Sequence, residues 1–138
     1  MNGELPHWPD GTVAILATGA GAPHAIPVST IVRAGPRTIL LALAPGRESL
    51  ARLREEPRCA LAIHAPGVTI TVHGHAEPVN ELGRVVAVRI DVDAIQDHSR
   101  EEFVIDDGIA WHWTDDDARR ADADVRAQLE KLVSPPRS

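Results

Sequence analysis

The chain has 138 residues, 43% apolar and 25% charged, which is the size and composition of one ordinary globular domain and argues against disorder or a fibrous repeat. A formal net charge of -6 with three Trp and one Phe argues against nonspecific nucleic-acid binding, which needs clustered cations to neutralise phosphates. Lys131 is the only Lys, so any anion site must be built from Arg, hydroxyls and backbone amides.

After a Pro-containing lead over residues 1–10, residues 12–18 form an apolar run that ends in the turn composition Gly19-Ala20-Gly21-Ala22-Pro23. Residues 24–33, rich in Ile, Val and Thr, read as one returning strand, and Ala34-Gly35-Pro36-Arg37 reverses the chain into a third run, 38–44. At Pro45-Gly46 the pattern changes. Residues 48–56 are good helix formers with Leu50 and Leu53 on one face, and Pro57 stops them.

Strands over 58–64 and 68–77 follow, joined by Ala65-Pro66-Gly67, with Val68, Ile70 and Val72 sharing a face. A break is expected over 80–83. Then comes the clearest strand, 84–95, in which Val86, Val88, Ile90 and Val92 alternate with polar or small residues. Asp106-Asp107-Gly108 suggests a last hairpin between 102–105 and 109–113, for seven or eight strands in all. Thr114 and Asp117 resemble a capping box for a terminal helix over 115–132, whose Ala118, Ala121, Val125, Leu129 and Leu132 form a narrow docking stripe; residues 133–138 read as a loose tail. The expected fold is mainly β: a small antiparallel split barrel in one domain, 1–138, with a short helix after the third strand and a helix near the C-terminus.

The junction Pro45-Gly46-Arg47-Glu48-Ser49 opens a helix whose free N–H groups, beside Arg47, Ser49 and Arg52, attract anions. For an isolated junction the alternative is solvated Arg side chains and Ser49 as a simple N-cap. The order of segments decides between them. Val13-Ala14-Ile15-Leu16-Ala17-Thr18, then Gly21-Ala22-Pro23-His24-Ala25-Ile26-Pro27-Val28-Ser29, then the helix into Pro57-Arg58-Cys59-Ala60-Leu61, then Val72-His73-Gly74-His75-Ala76, resembles the pyridoxamine 5'-phosphate oxidase-like family of FMN-binding split barrels. The resemblance covers roughly residues 12–79.

It implies a homodimer with FMN at the interface. Pro27, Val28, Ser29 and Thr30, with Leu41, Ala42, Leu43 and Ala44, would line the flavin ring, and Arg47, Ser49, Leu50 and Arg52 would lie at or near the phosphate. Trp111 or Trp113 would reach the site from the partner chain. Ser49 stands where many relatives place a Lys, and Arg52 where an Asn is frequent, so phosphate charge would have to come from Arg. The resemblance also leaves open a deazaflavin coenzyme, haem, or a flavin-free sensor or storage module. Its implied chemistry is hydride transfer between a nicotinamide or small organic donor and an acceptor, performed by the cofactor.

Other residues carry milder expectations. His73 and His75 share a strand face without acidic or Cys partners, so no metal is expected. His24 reads as a turn-flanking surface His or a proton donor to the site, and Asp115-Asp116-Asp117 as helix-terminal charge. Lone Cys59, in an apolar flank, reads as a buried hydrophobe. Residues 1–6 lack a signal-peptide pattern and no apolar run reaches membrane-spanning length, so a cytoplasmic protein with no membrane or nucleic-acid partner and a small-molecule substrate is expected.

Overall fold

Period-two burial builds the sheet. In the computed structural model, which describes residues 3–133, Ala14, Leu16 and Thr18 point inward from β1 (Ala14–Thr18), and Cys59, Leu61, Ile63 and Ala65 do so from β5 (Arg58–Ala65). With β2 (His24–Val28), β3 (Val32–Gly35), β4 (Thr38–Leu43), β6 (Val68–Leu82) and β7 (Val85–Asp97), they form one seven-stranded, wholly antiparallel sheet in the order β2-β1-β5-β6-β7-β4-β3.

The two edge strands, β2 and β3, are consecutive in the chain and joined by residues 29–31 alone. Four Cα steps span at most about 14 Å, whereas the edges of a flat seven-stranded sheet would lie about 29 Å apart at the usual strand spacing. The sheet therefore curls until its edges nearly meet, which makes it a split barrel. Bulges at His73/Gly74 and Pro78/Asn80 bend the long β6 around this curve.

One core fills the barrel, with Leu16, Ile39, Leu41, Leu61, Ile63 and Ile90 among its fully buried side chains. Helix α1 (Glu48–Glu55) packs on β1 and β6 and buries Leu50 and Leu53 there. Helix α2 (Asp116–Lys131) lies outside the barrel on β3 and β4, where Leu129, Val125 and Leu132 meet Leu40 and Ala87 in a separate small cluster. No helix among the described residues is long and apolar enough to cross a membrane.

Several boundaries differ from those expected. The run 24–33 is two strands, because the link between Val28 and Val32 is where the chain passes from one sheet edge to the other. Asn80 does not interrupt β6, which pairs with β7 as far as Leu82; the turn falls at Gly83, whose φ of 73° suits Gly.

The hairpin expected around Asp106-Asp107-Gly108 does not form. Residues 104–113 have no strand, and Phe103, Val104 and Ile109 are exposed, so a two-stranded ribbon would have no apolar face to bury. The backbone instead serves the β5–β6 turn: Gly67 N–H donates to Ile105 O at 2.8 Å, and Gly108 lies flush against the His64 carbonyl. At α2 the cap is Asp115 rather than Thr114, its Oδ2 accepting from Ala118 N at 2.9 Å. Asp116 and Asp117 pair with Arg119 and Arg120. The expected tail at 134–138 lies outside the described residues.

The lead is integral to the barrel. Leu5 is buried in the core, its N–H donates to Pro36 O at 2.8 Å, and Arg33 Nε donates to Leu5 O at 3.1 Å. Arg37 donates to Gly3 O, Val92 O and Asp93 O, so one guanidinium pins the lead across β7.

Candidate functional site

Where the sheet fails to close, backbone is left over. β3 pairs with β4 only as far as Leu40, while β4 continues along β7 to Leu43, so the β3-side edge of β4 is open beyond Leu40. Beside that edge lies a cavity of about 150 Å³ lined by Pro27, Val28, Ser29 and Thr30, by Ala42, Leu43 and Ala44, and by Arg47. These eight are all residues singled out from the sequence. Leu41, on the same strand face as Leu43, does not line it and is fully buried in the core.

Arg47 is the N-cap residue of α1, exposed, and no hydrogen bond or ion pair engages its guanidinium among the described residues. The first α1 amides, Glu48 and Ser49, have no acceptor within the helix. Ser49 is not the N-cap: it sits one residue into α1 with its Oγ buried and without a hydrogen-bond partner. Arg47, a free cation, lines the cavity, and the helix-start amides and the orphaned Ser49 hydroxyl follow it within two residues of chain, a donor set that fits a phosphate.

Arg52 is differently placed. Its Nε donates to Glu48 Oε2 at 2.9 Å, and its Nη1 donates to Ala22 O at 2.7 Å and to Ala20 O, so it ties α1 to the β1–β2 hairpin. His24 Nδ1 adds a contact of 3.1 Å to the same carboxylate. The hydrogen bond from Arg52, reinforced by its charge, holds the Glu48 carboxyl below its ordinary range, so Glu48 stays ionised but compensated and Arg47 keeps the uncompensated charge. Leu50 lies in the core beneath.

Trp111 and Trp113 line a different cleft, of about 430 Å³, with Asp10, Arg119, Asp122 and Arg126. Their rings meet edge to face with centroids 5.1 Å apart, and Trp111 Nε1 donates to Gly11 O at 2.9 Å. Within one chain they do not line the cavity at the seam. Sequence reasoning missed the partner that joins the two places: Arg126 Nη2 donates to Ser29 O at 3.1 Å across 97 positions of chain. No local pattern signals such a contact.

His73 and His75 remain exposed on β6 and bond to Gln96 and Asp93 of β7. Among the described residues no group of three or more His, Cys, Asp or Glu is arranged to hold a metal ion. Cys59 is buried, and desolvation, with the nearby charge of Asp93, pushes its thiol up to about 12. Between the ordinary value of 9.0 and about 12 the folded protein keeps a proton that the unfolded chain releases, so this thiol lowers stability as pH rises through that window. Melting temperatures of wild type and Cys59→Ala should converge above pH 9 relative to neutral pH, and a thiol reagent at pH 8 should label Cys59 only when denaturant is added. Labelling of the native protein at the rate of a free thiol would contradict the buried placement.

The sequence model of a family described as pyridoxamine 5'-phosphate oxidase matches residues 7–112. No curated protein matches the chain. Among solved structures it is similar to the styrene monooxygenase flavin reductase of Pseudomonas putida S12, with a TM-score of 0.53 and 15% identity over 64% of this chain and 81% of that one. A FAD-binding protein from Mesorhizobium loti gives a TM-score of 0.52 and 17% identity over 61% and 83%. A heme binding protein from Mycobacterium smegmatis gives 0.53 and 19% over 62% of this chain and 48% of the other. At these identities the likenesses show the fold.

Proposed function

The chain belongs to the pyridoxamine 5'-phosphate oxidase family, and from that premise we propose that residues 1–138 act as one FMN-binding domain of a homodimeric oxidoreductase. The reaction is hydride transfer between a nicotinamide or small organic donor and an acceptor. The observation that carries this reading is the cavity at the barrel seam, lined by residues 27–30, 42–44 and Arg47.

Arg47 and the amides of Glu48 and Ser49 would hold the phosphate, with the Ser49 hydroxyl as a further donor. The backbone of Pro27 to Thr30 and of Ala42 to Ala44 would flank the ring, offering amide and carbonyl groups to its polar edge while Val28 and Leu43 keep water from that wall. When bound, FMN supplies the hydride-accepting centre, so few catalytic side chains are needed. A flavin reductase and a FAD-binding protein that share the fold support a flavin, and a heme binding protein that shares it equally keeps haem as the second reading.

A second copy of the chain completes the site. The seam cavity of about 150 Å³ is smaller than the roughly 300–1,000 Å³ usual for pockets that enclose a small-molecule ligand. Phe103, Val104, Ile109, Trp111 and Trp113 form an exposed apolar stretch of the kind that partner chains cover. The setting proposed with this reading is cytoplasmic, consistent with a single Cys that can form no intramolecular disulfide.

Purified protein should be yellow, or take up added FMN, with an absorption band near about 450 nm from the oxidised flavin, and NADPH should bleach that band. Protein that stays colourless and shows no thermal shift with FMN would remove the cofactor from this reading. Bound FMN that no nicotinamide or organic donor reduces would leave a flavin store in place of an enzyme.

A further inference from the structure

We propose that Arg126, held by Asp122, is the positioning residue that sets the β2–β3 link for flavin binding; the inference rests on the cofactor reading above. The link is three residues long, and the structure fixes it at both ends. Ile31 is buried and its carbonyl accepts from Trp8 Nε1 at 3.1 Å, so the lead holds one end. Ser29, which lines the seam cavity, is held at the other end by Arg126 of α2.

Arg126 Nη1 bonds Asp122 Oδ2 at 3.0 Å while Nη2 reaches Ser29 O at 3.1 Å. The side chains are only 14% and 10% exposed, so the ion pair is a desolvated one whose separation would leave a charge uncompensated. The planar fork of Arg lets one group meet the carboxylate and the carbonyl together, which a Lys ammonium on a flexible stem does poorly. α2 packs on β4 through the cluster that includes Ala42, and this bond is the polar route by which its docking reaches the β2–β3 side of the cavity wall.

The chemistry separates this role from that of a phosphate ligand. Arg126's charge is balanced by Asp122, and its contact is with the backbone beside the proposed ring, so its loss disturbs the ring wall and leaves the phosphate end intact. Coupling is reciprocal: a ligand that orders Ser29 must also stabilise the docked α2.

The test compares FMN and riboflavin binding, followed by flavin fluorescence, in wild type, Arg126→Ala, Arg126→Lys and Asp122→Asn. Arg126→Ala should weaken both flavins by the same factor, about tenfold for one lost charge-assisted hydrogen bond. Arg126→Lys should recover little, and Asp122→Asn should show a smaller loss in the same direction. In wild type, FMN should slow amide hydrogen exchange over residues 122–130, a readout that needs no variant to fold and that a merely structural contact would not give. Wild-type affinity for both flavins in Arg126→Ala, a loss for FMN alone, or exchange in α2 unmoved by FMN would each overturn the inference while leaving the cofactor reading standing. If wild type binds neither flavin, both fall together.

Discussion

Gly74→Ala should destabilise the fold by about 3 kcal/mol, the upper end of what overpacking a tight site costs, and lower the melting temperature by about 10 °C for a chain of this size. A Cβ at position 74 would meet Asp91 O at 2.5 Å and Ile90 Cγ2 at 2.9 Å. The first is backbone of the paired strand and cannot rotate away. Gly74 also sits at the bulge where β6 shifts register against β7, in the middle of the sheet order, so relief requires parting the two longest strands. Its φ is not positive, so the cost is steric and owes nothing to left-handed backbone.

Gly19→Ala is the control. It has ordinary φ and nothing within 4 Å of an added Cβ, and should stay within about 0.5 kcal/mol of wild type. Equal melting temperatures for the two variants would show that β6 and β7 can separate locally at little cost, and the bulge would lose its role in bending the barrel.

Arg47→Ala should weaken FMN by about 10–100-fold, the equivalent of roughly 1.5–3 kcal/mol for a charge-assisted contact, and leave riboflavin unchanged. The asymmetry follows from position: Arg47 is the cavity residue at the start of α1, exposed and unengaged among the described residues, and only FMN brings a phosphate to it. The FMN affinity of wild type should fall with added salt more steeply than that of Arg47→Ala, because exposed charges are screened. Parallel losses for FMN and riboflavin would move the phosphate away from α1. Arg52→Ala offers a contrast, since its guanidinium already serves Glu48 and two hairpin carbonyls; the expected result is a lower melting temperature, with the FMN-to-riboflavin ratio changed less than in Arg47→Ala.

Much of this was legible in the sequence, where neighbouring residues carry the signal. Apolar, β-prone runs over 12–18 and 58–64 and alternation over 68–77 and 84–95 marked strands, and Leu50 and Leu53 marked the buried face of α1. The resemblance singled out residues 27–30, 41–44 and Arg47, and all of these but Leu41 line one cavity.

What only the tertiary structure decided depends on partners far along the chain. Residues 24–33 are uniformly β-prone, and the division at 29–31 arises because the curled sheet needs a crossing between its two edges. Asp106-Asp107-Gly108 carries hairpin chemistry, yet the competing bond from Gly67 and the absence of a face to bury leave it irregular. Leu5, an apolar residue in a Pro-flanked lead, becomes core because Arg33 and Arg37 hold that lead across the barrel. Likewise the sequence put Arg52 at or near the phosphate and gave Arg126 no role. Their distinct roles, one closing a hairpin and one bracing the cavity wall, come from carbonyls at Ala20, Ala22 and Ser29 that local periodicity does not encode.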